Sequence, residues 1–495
     1  MKKNIYLFIL IFTIPFLAIA QKGYNIEVKI KDFKVGEKIT LGYYFGNGKY
    51  IQDTTRTNSN GVAVFKGDKP LDKGMYMIIF ANNTKFFDLP ISTNDKIVVE
   101  TDTIGWPTEN LVVKEGAEVA RFYDFNRALA KLNKNYAKFD NIKPTSAKNK
   151  DSVDSYLKAI EPINKELKAE NENFIKTNSK DLLTYILNFN REIEVPEPPT
   201  KQDSTFKYYY YRNHFWDNLD FNDERIVRTP LFTEKLNFYI TKVLPPVSDT
   251  ILKEATSFIA KMKNVPDMRK YTIHTFTTKH ENPEIMGLDA VFVGMVETYY
   301  LDSTLSPWIS KEQRDKIVKR AGTMSNAILG RPAGELIGRD SSRQLNTKKL
   351  SDVKAKYTIV VFWESTCGHC QKTLPLLDSL YKAYLKPNGI EVYAMSIEHE
   401  DFGKKEITYE EAYQVATTKP NYMKSWKAFI KKHDLTWINV HDPFNESDLR
   451  KKYDIYSTPV IYILDKDKKI AAKRLAVDQI KDFLERSLER DRNKK

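Results

Sequence analysis

The sequence predicts a multidomain chain with three architectures in succession: an N-terminal antiparallel β-domain, a central all-α domain and a C-terminal α/β domain. Three observations predict it. Apolar residues alternate with period two between Tyr24 and Thr103, as in half-buried strands. From Phe122 they recur at spacings of three and four, as on one helix face. Beyond Leu329, short apolar runs alternate with amphipathic stretches, as βαβ units require. With 495 residues and 41% apolar content, the chain can build two or three cores. The expected division is 1–20, 21–105, 110–325 and 330–495.

Lys2 and Lys3, the apolar run Ile5–Leu17 and Ala18-Ile19-Ala20 before Gln21 have the layout of a cleaved signal peptide. The apolar core is short for a membrane span, and Pro15 weakens it as a helix. No cysteine follows the cleavage site, so a lipid anchor is not expected. The expectation is an exported, periplasmic protein.

In the β-domain, Ile26/Val28/Ile30 and Ile39/Leu41/Tyr43 alternate, with turn signals at Gly46-Asn47-Gly48 and Asn60-Gly61. Met75–Phe80, Phe86–Ile91 and Ile97–Val99 continue the pattern. After Trp106-Pro107, Phe122, Phe125, Leu129, Leu132, Tyr136 and Phe139 mark one helix. Tyr156, Ile160, Ile163, Leu167 and Phe174 mark a second, so an antiparallel pair is expected. Pro196-Glu197-Pro198-Pro199 breaks the chain. The aromatic stretch from Tyr208 to Trp216 reads as packing more than as a ligand platform, and His214 as a hydrogen-bonded core residue. Further helices are expected at Ser248–Met262 and Ala290–Tyr300.

The C-terminal domain contains an unbroken apolar run, Ile359–Trp363, which reads as a fully buried strand leading into a helix over Gln371–Tyr384. Strands are expected at Ile390–Ile397, Trp437–Val440, Val460–Leu464 and Lys469–Ala472, and helices at Tyr409–Ala416 and Tyr422–His433. Ile480, Phe483, Leu484 and Leu488 give a closing helix its buried face.

At the junction of buried strand and helix stand the only two cysteines of the chain, Cys367 and Cys370, separated by Gly368 and His369. Free N–H groups and the positive end of the helix dipole favour a thiolate at that place, and the thiolate is the form that attacks a disulfide. A protonated His369 would add charge beside Cys367 and make the disulfide more oxidising. A structural bridge would gain little from so short a loop. A zinc site would need two more ligands, with only His399, His433 and His441 nearby. Covalent haem attachment would need His at Gln371. Redox exchange is the favoured reading, with no cofactor and no metal.

The run Phe362-Trp363-X-X-X-Cys367-Gly368-His369-Cys370 resembles the active site of the thioredoxin superfamily, with the Gly-His dipeptide of protein disulfide isomerases. Pro375 resembles the helix proline of thioredoxins, and Thr458-Pro459 the loop whose cis-proline faces the disulfide. Pro459 follows Cys370 by 89 positions (459 − 370), which resembles the TlpA/ResA branch with its insertion, and Leu329–Ala333 resembles the start of such a module. The resemblance implies a thioredoxin-like fold, Cys367 and Cys370 as the catalytic pair, and Gly368, His369, Trp363, Glu364, Thr458 and Pro459 in support. Val361 and Thr373 stand where relatives carry acids, leaving Glu364 as the only carboxylate within the motif. The segments ahead resemble the β-rich domain and the helical domain of unknown function that precede such modules in exported Bacteroidetes proteins.

The formal charge is +13, with lysines scattered among acids and no nucleic-acid motif, so no nucleic-acid partner is expected. Expected partners are exported proteins with thiols or disulfides and a membrane or periplasmic redox partner. The alternative is an exported binding or assembly protein whose redox-like module only docks.

Overall fold

The computed structural model describes residues 23–81, 85–93, 96–106, 108–145, 149–200, 204–342, 346–397, 408–419, 423–442 and 444–493. The expected signal peptide 1–20, Pro107 and His399 lie outside the described residues. The chain separates into two compact units, the first running to Val243 and including Asn264–Met268, the second comprising Leu244–Lys263 and Arg269–Lys495.

The first unit opens with eight strands: β1 (Tyr24–Ile30), β2 (Lys38–Phe45), β3 (Gly48–Arg56), β4 (Val62–Gly67), β5 (Gly74–Ile79), β6 (Phe86–Ile91), β7 (Ile97–Thr101) and β8 (Val112–Glu115). They form two four-stranded sheets, ordered β4-β1-β7-β8 and β3-β2-β5-β6. Alternate residues of both sheets, among them Ile26, Val28, Leu41, Phe65, Ile78, Leu89 and Val99, share one core. One expectation needs correction: β1 and β7 pair in parallel, the other ladders here being antiparallel. Between β1 and β7 the chain makes two excursions into the second sheet, with β4 between them, before β7 returns beside β1 in the same direction, a long-range pairing that local periodicity does not encode.

Two helices, α1 (Ala117–Tyr136) and α2 (Lys150–Thr177), follow as an antiparallel pair; Phe125 and Phe174 meet with ring centroids 5.0 Å apart. Three shorter ones follow: α3 (Leu182–Phe189), α4 (Phe206–His214) and α5 (Pro230–Phe238). In the aromatic stretch Phe215 and Trp216 are buried, whereas Tyr208 and Tyr209 are exposed. His214 is not in the core. Its half-buried ring stacks on Tyr210 and meets the exposed Asp217 carboxylate at 2.6 Å, a local pairing within one helical turn.

In the second unit come α6 (Ser248–Ala260), α7 (Pro266–Lys279, whose first turn belongs to the first unit), α8 (Asp289–Tyr299) and α9 (Lys311–Ser325). A reciprocal capping box between Ser310 and Gln313 starts α9, satisfying two otherwise orphaned backbone donors. The rest is thioredoxin-like: β9 (Ile337–Arg339), β10 (Thr347–Lys349), β11 (Tyr357–Trp363), α10 (Gly368–Leu380), β12 (Ile390–Ser396), α11 (Tyr409–Thr418), α12 (Lys424–His433), β13 (Ile438–His441), α13 (Leu449–Tyr453), β14 (Val460–Leu464), β15 (Ile470–Lys473) and α14 (Val477–Asn493). The seven strands form one sheet, ordered β10-β9-β13-β12-β11-β14-β15. β11 is parallel to β12 and antiparallel to β14, and every one of its residues is buried. Ile359, Val361 and Trp363 face a core shared with α10, α12 and α14; Val360 and Phe362 face the opposite one with Leu336, Tyr453 and Tyr462. Such two-sided burial explains the unbroken apolar run.

Residues of the helical segment are fastened to this sheet. The Lys473 ammonium, at the end of β15, is buried against the Asp289 carboxylate of α8 and donates to the Ala327 carbonyl at 2.6 Å. The Gly330 N–H donates to the Ile470 carbonyl at 2.8 Å. Among the described residues, no helix is long and apolar enough to cross a membrane.

Candidate active site

β11 ends at Trp363, and residues Glu364, Ser365 and Thr366 turn the chain into α10, with Cys367 as the N-cap. The helix therefore starts at Gly368, three residues before the start read from sequence, and carries Pro375 inside it. The turn is held by the Cys367 N–H on the Glu364 carbonyl at 3.3 Å, and by the Gln371 amide on the Ser365 carbonyl at 2.8 Å. Gln371 was not singled out by sequence reasoning; its place one turn after Cys367 is the signal that could have found it.

The two sulfurs have different surroundings. Cys367 is partly exposed, while Cys370 is 0% exposed and belongs to the core with Trp363, Leu374 and Leu377. Both are free thiols. Burial alone pushes the Cys367 thiol up, but the polar groups around it, Thr458, the Cys370 N–H and thiol, and the His369 N–H, outweigh it, leaving its pKa below the ordinary value. For Cys370, burial dominates. Its thiol is pushed up to about 12, reinforced by the Cys367 sulfur and opposed by the Glu364 backbone and Thr458. The first thiol is thus the readier to ionise and the second is kept as a thiol, as expected for a sulfur at a helix end beside a buried one.

The loop between α13 and β14 closes the site. Thr458-Pro459 is a cis peptide bond, and the Cys367 sulfur lies 3.4 Å from the Thr458 carbonyl oxygen. The structure thus brings together Cys367, Cys370, Gly368, His369, Thr458 and Pro459. Gly368 and His369 are exposed; a Cβ added at Gly368 would meet nothing within 4 Å, so the face beside Cys367 is open. Trp363 turns inward instead: it is fully buried, packed on Phe429 with ring centroids 5.2 Å apart, and supports the core under α10. Glu364 is half-buried, and the part of it that reaches Cys370 is its backbone, not its carboxylate.

Of the histidines considered as zinc ligands, the two described pack on aromatic rings: His441 is buried against Trp426, and His433 packs on Phe429. Among the described residues no cluster of three or more His, Cys, Asp and Glu could hold a metal.

Two segments of the chain match known protein families. Residues 330–473 match the AhpC/TSA family, and residues 146–326 match a domain of unknown function, DUF5106. The thiol-disulfide oxidoreductase ResA of Bacillus thuringiensis is 26% identical over 142 residues, covering 29% of this chain and 67% of that protein. A ResA of Bacillus cereus is 27% identical over the same shares. Among solved structures, a domain of a possible thiol-disulfide isomerase from Cytophaga hutchinsonii is 37% identical, covering 34% of this chain and 97% of that one, with a TM-score of 0.27. A thioredoxin-like protein from Bacteroides caccae is 16% identical, covering 59% and 98%, with a TM-score of 0.43. By sequence match, residues 330–473 form an AhpC/TSA thioredoxin-like domain with ResA thiol-disulfide oxidoreductases among its relatives, and a separate DUF5106 domain lies ahead of it.

Proposed function

We propose that the protein is an exported, periplasmic thiol–disulfide oxidoreductase acting on other exported proteins through Cys367 and Cys370. The observation that carries this reading is the split between the two thiols, one lowered and accessible at a helix end, the other raised and buried behind it. In the reducing direction, the Cys367 thiolate attacks one sulfur of a substrate disulfide. A mixed disulfide forms, and the other substrate sulfur leaves as a thiolate and takes up a proton. Cys370 then loses its proton and attacks the Cys367 sulfur, releasing the second substrate thiol and leaving a Cys367–Cys370 disulfide. Two electrons pass from the dithiol to the substrate. Oxidation is the same path reversed, and a membrane or periplasmic redox partner resets the pair.

Pro459 has no N–H to compete for the sulfur, and its loop offers backbone beside Cys367 along which an extended substrate segment can pair. Residues 1–20 direct export in this reading, and the β-rich domain and helical domain ahead of residue 330 serve recognition or spacing. The test is reduction of insulin disulfides by the purified protein. Activity abolished by Cys367→Ser supports the proposal; activity that survives the substitution refutes it.

A further inference from the structure

A second cluster of the same unit lies just before the cis-proline loop. α13 ends on Asp454, whose backbone is left-handed (φ 50°, ψ 52°), and the chain then runs through Tyr456 and Ser457 to Thr458-Pro459. Asp454 is buried, and two guanidinium groups converge on its carboxylate. Arg474 Nη2 lies 2.8 Å from Oδ2; Arg320 Nη1 contacts Oδ1, with its Nη2 3.5 Å from Oδ2. Arg320 also donates from Nη1 to the Tyr456 hydroxyl at 3.0 Å, places its guanidinium carbon 4.8 Å from the centre of the Tyr456 ring, and sets Nε 3.6 Å from Glu281 Oε1. Tyr456 is thereby held although 68% of it is exposed.

Arg320 belongs to α9, 134 residues before Asp454 and outside the AhpC/TSA match. Arg320 and Tyr456 also line an open cavity of about 1050 Å³ together with Thr373 and Leu376 of α10 and Pro459. Pro459 is common to this groove and to the thiol site. The groove therefore abuts the thiol site at Pro459, and Arg320 of the helical segment contributes to its wall.

We propose that Arg320 is a positioning residue for exchange with polypeptide substrates: by fixing Asp454 and Tyr456 it sets the Thr458-Pro459 loop against Cys367 and walls the groove that holds the substrate chain. The inference rests on the oxidoreductase reading. A guanidinium suits the task because its planar fork can grip a carboxylate with two N–H groups while its face stacks on an aromatic ring, which an ammonium cannot do. A small disulfide needs to reach only the Cys367 sulfur. A polypeptide disulfide must lie along the loop and groove, so its exchange depends on their placement.

The experiment uses the full chain and two substrates, insulin and bis(2-hydroxyethyl) disulfide. Arg320→Ala is expected to lower kcat/KM for insulin about tenfold, chiefly through KM, because small misplacements of a binding surface are costly. Exchange with the small disulfide should fall much less than exchange with insulin. Arg320→Lys, which keeps the charge without the fork, should recover part of the loss. Equal losses on both substrates, or none on insulin, would overturn the inference while leaving the oxidoreductase reading intact. If the parent protein exchanged neither substrate, that reading would fall and the inference with it. Should Arg320→Ala not fold, Tyr456→Ala at the exposed ring replaces it, with the same selective loss expected and its absence equally decisive.

Discussion

Selective alkylation of the reduced protein tests the asymmetry on which the chemistry rests. With the Cys370 thiol pushed up to about 12, only about one molecule in 10⁵ carries that thiolate at pH 7. An ordinary cysteine with a pKa near 8.5 is about 3% thiolate there, and Cys367 lies on the more ionised side of its ordinary value. The thiolate populations therefore differ by at least about 10³ in favour of Cys367, before the full burial of Cys370 slows the reagent further. Iodoacetamide labelling followed by peptide mass spectrometry, repeated between about pH 5 and pH 9, measures both sites. The Cys367 rate should rise with pH and level off earlier than that of an unperturbed thiol, since a lowered pKa completes ionisation sooner. Labelling of Cys370 first, or a Cys367 profile displaced to higher pH than an ordinary thiol, would refute the assignment.

Three further outcomes are expected. His369→Pro removes the exposed imidazole and also the backbone N–H that helps to hold the Cys367 pKa down. Loss of a charge-assisted bond of about 1.5–3 kcal/mol should lower the reduction potential by about 30–60 mV in equilibration with glutathione, and a rise would contradict it. Pro459→Ala places an N–H in the loop beside Cys367 and should slow exchange and prolong mixed disulfides, read as covalent complexes on non-reducing gels; an unchanged turnover would exclude the loop from substrate pairing. Lys473→Met leaves the buried Asp289 carboxylate without its cation and should cost about 3–5 kcal/mol in chemical denaturation, whereas Asp289→Leu/Lys473→Met should cost much less. Equal costs would mean that the pair is not the source of the loss.

The parts of the architecture legible in sequence are those written in local patterns. The run Ile359–Trp363 announces a two-sided strand, and two cysteines at its end announce the site, because burial and helix-end chemistry leave marks within a few residues. Pairing between distant segments leaves none: the parallel register of Ile26–Ile30 on Ile97–Thr101 has no signature in either strand. His214 misleads for a related reason, since a crowd of aromatic neighbours suggests a core while its Asp217 partner, three residues on, is exposed on the surface. Arg320 was illegible altogether. It lies in a largely polar helix, and its meaning comes from an acid 134 residues away.

The buried pairing of Asp289 with Lys473 also bears on how such a chain can evolve. The lysine lies within the segment matched by the AhpC/TSA family, and the aspartate within the segment matched by DUF5106. In this chain each matched segment carries half of a lock. Exchanging the thioredoxin-like portion for one without a cation at this place would strand an acid inside the fold. What sequence comparison draws as two separate segments is, at this contact, one physical unit.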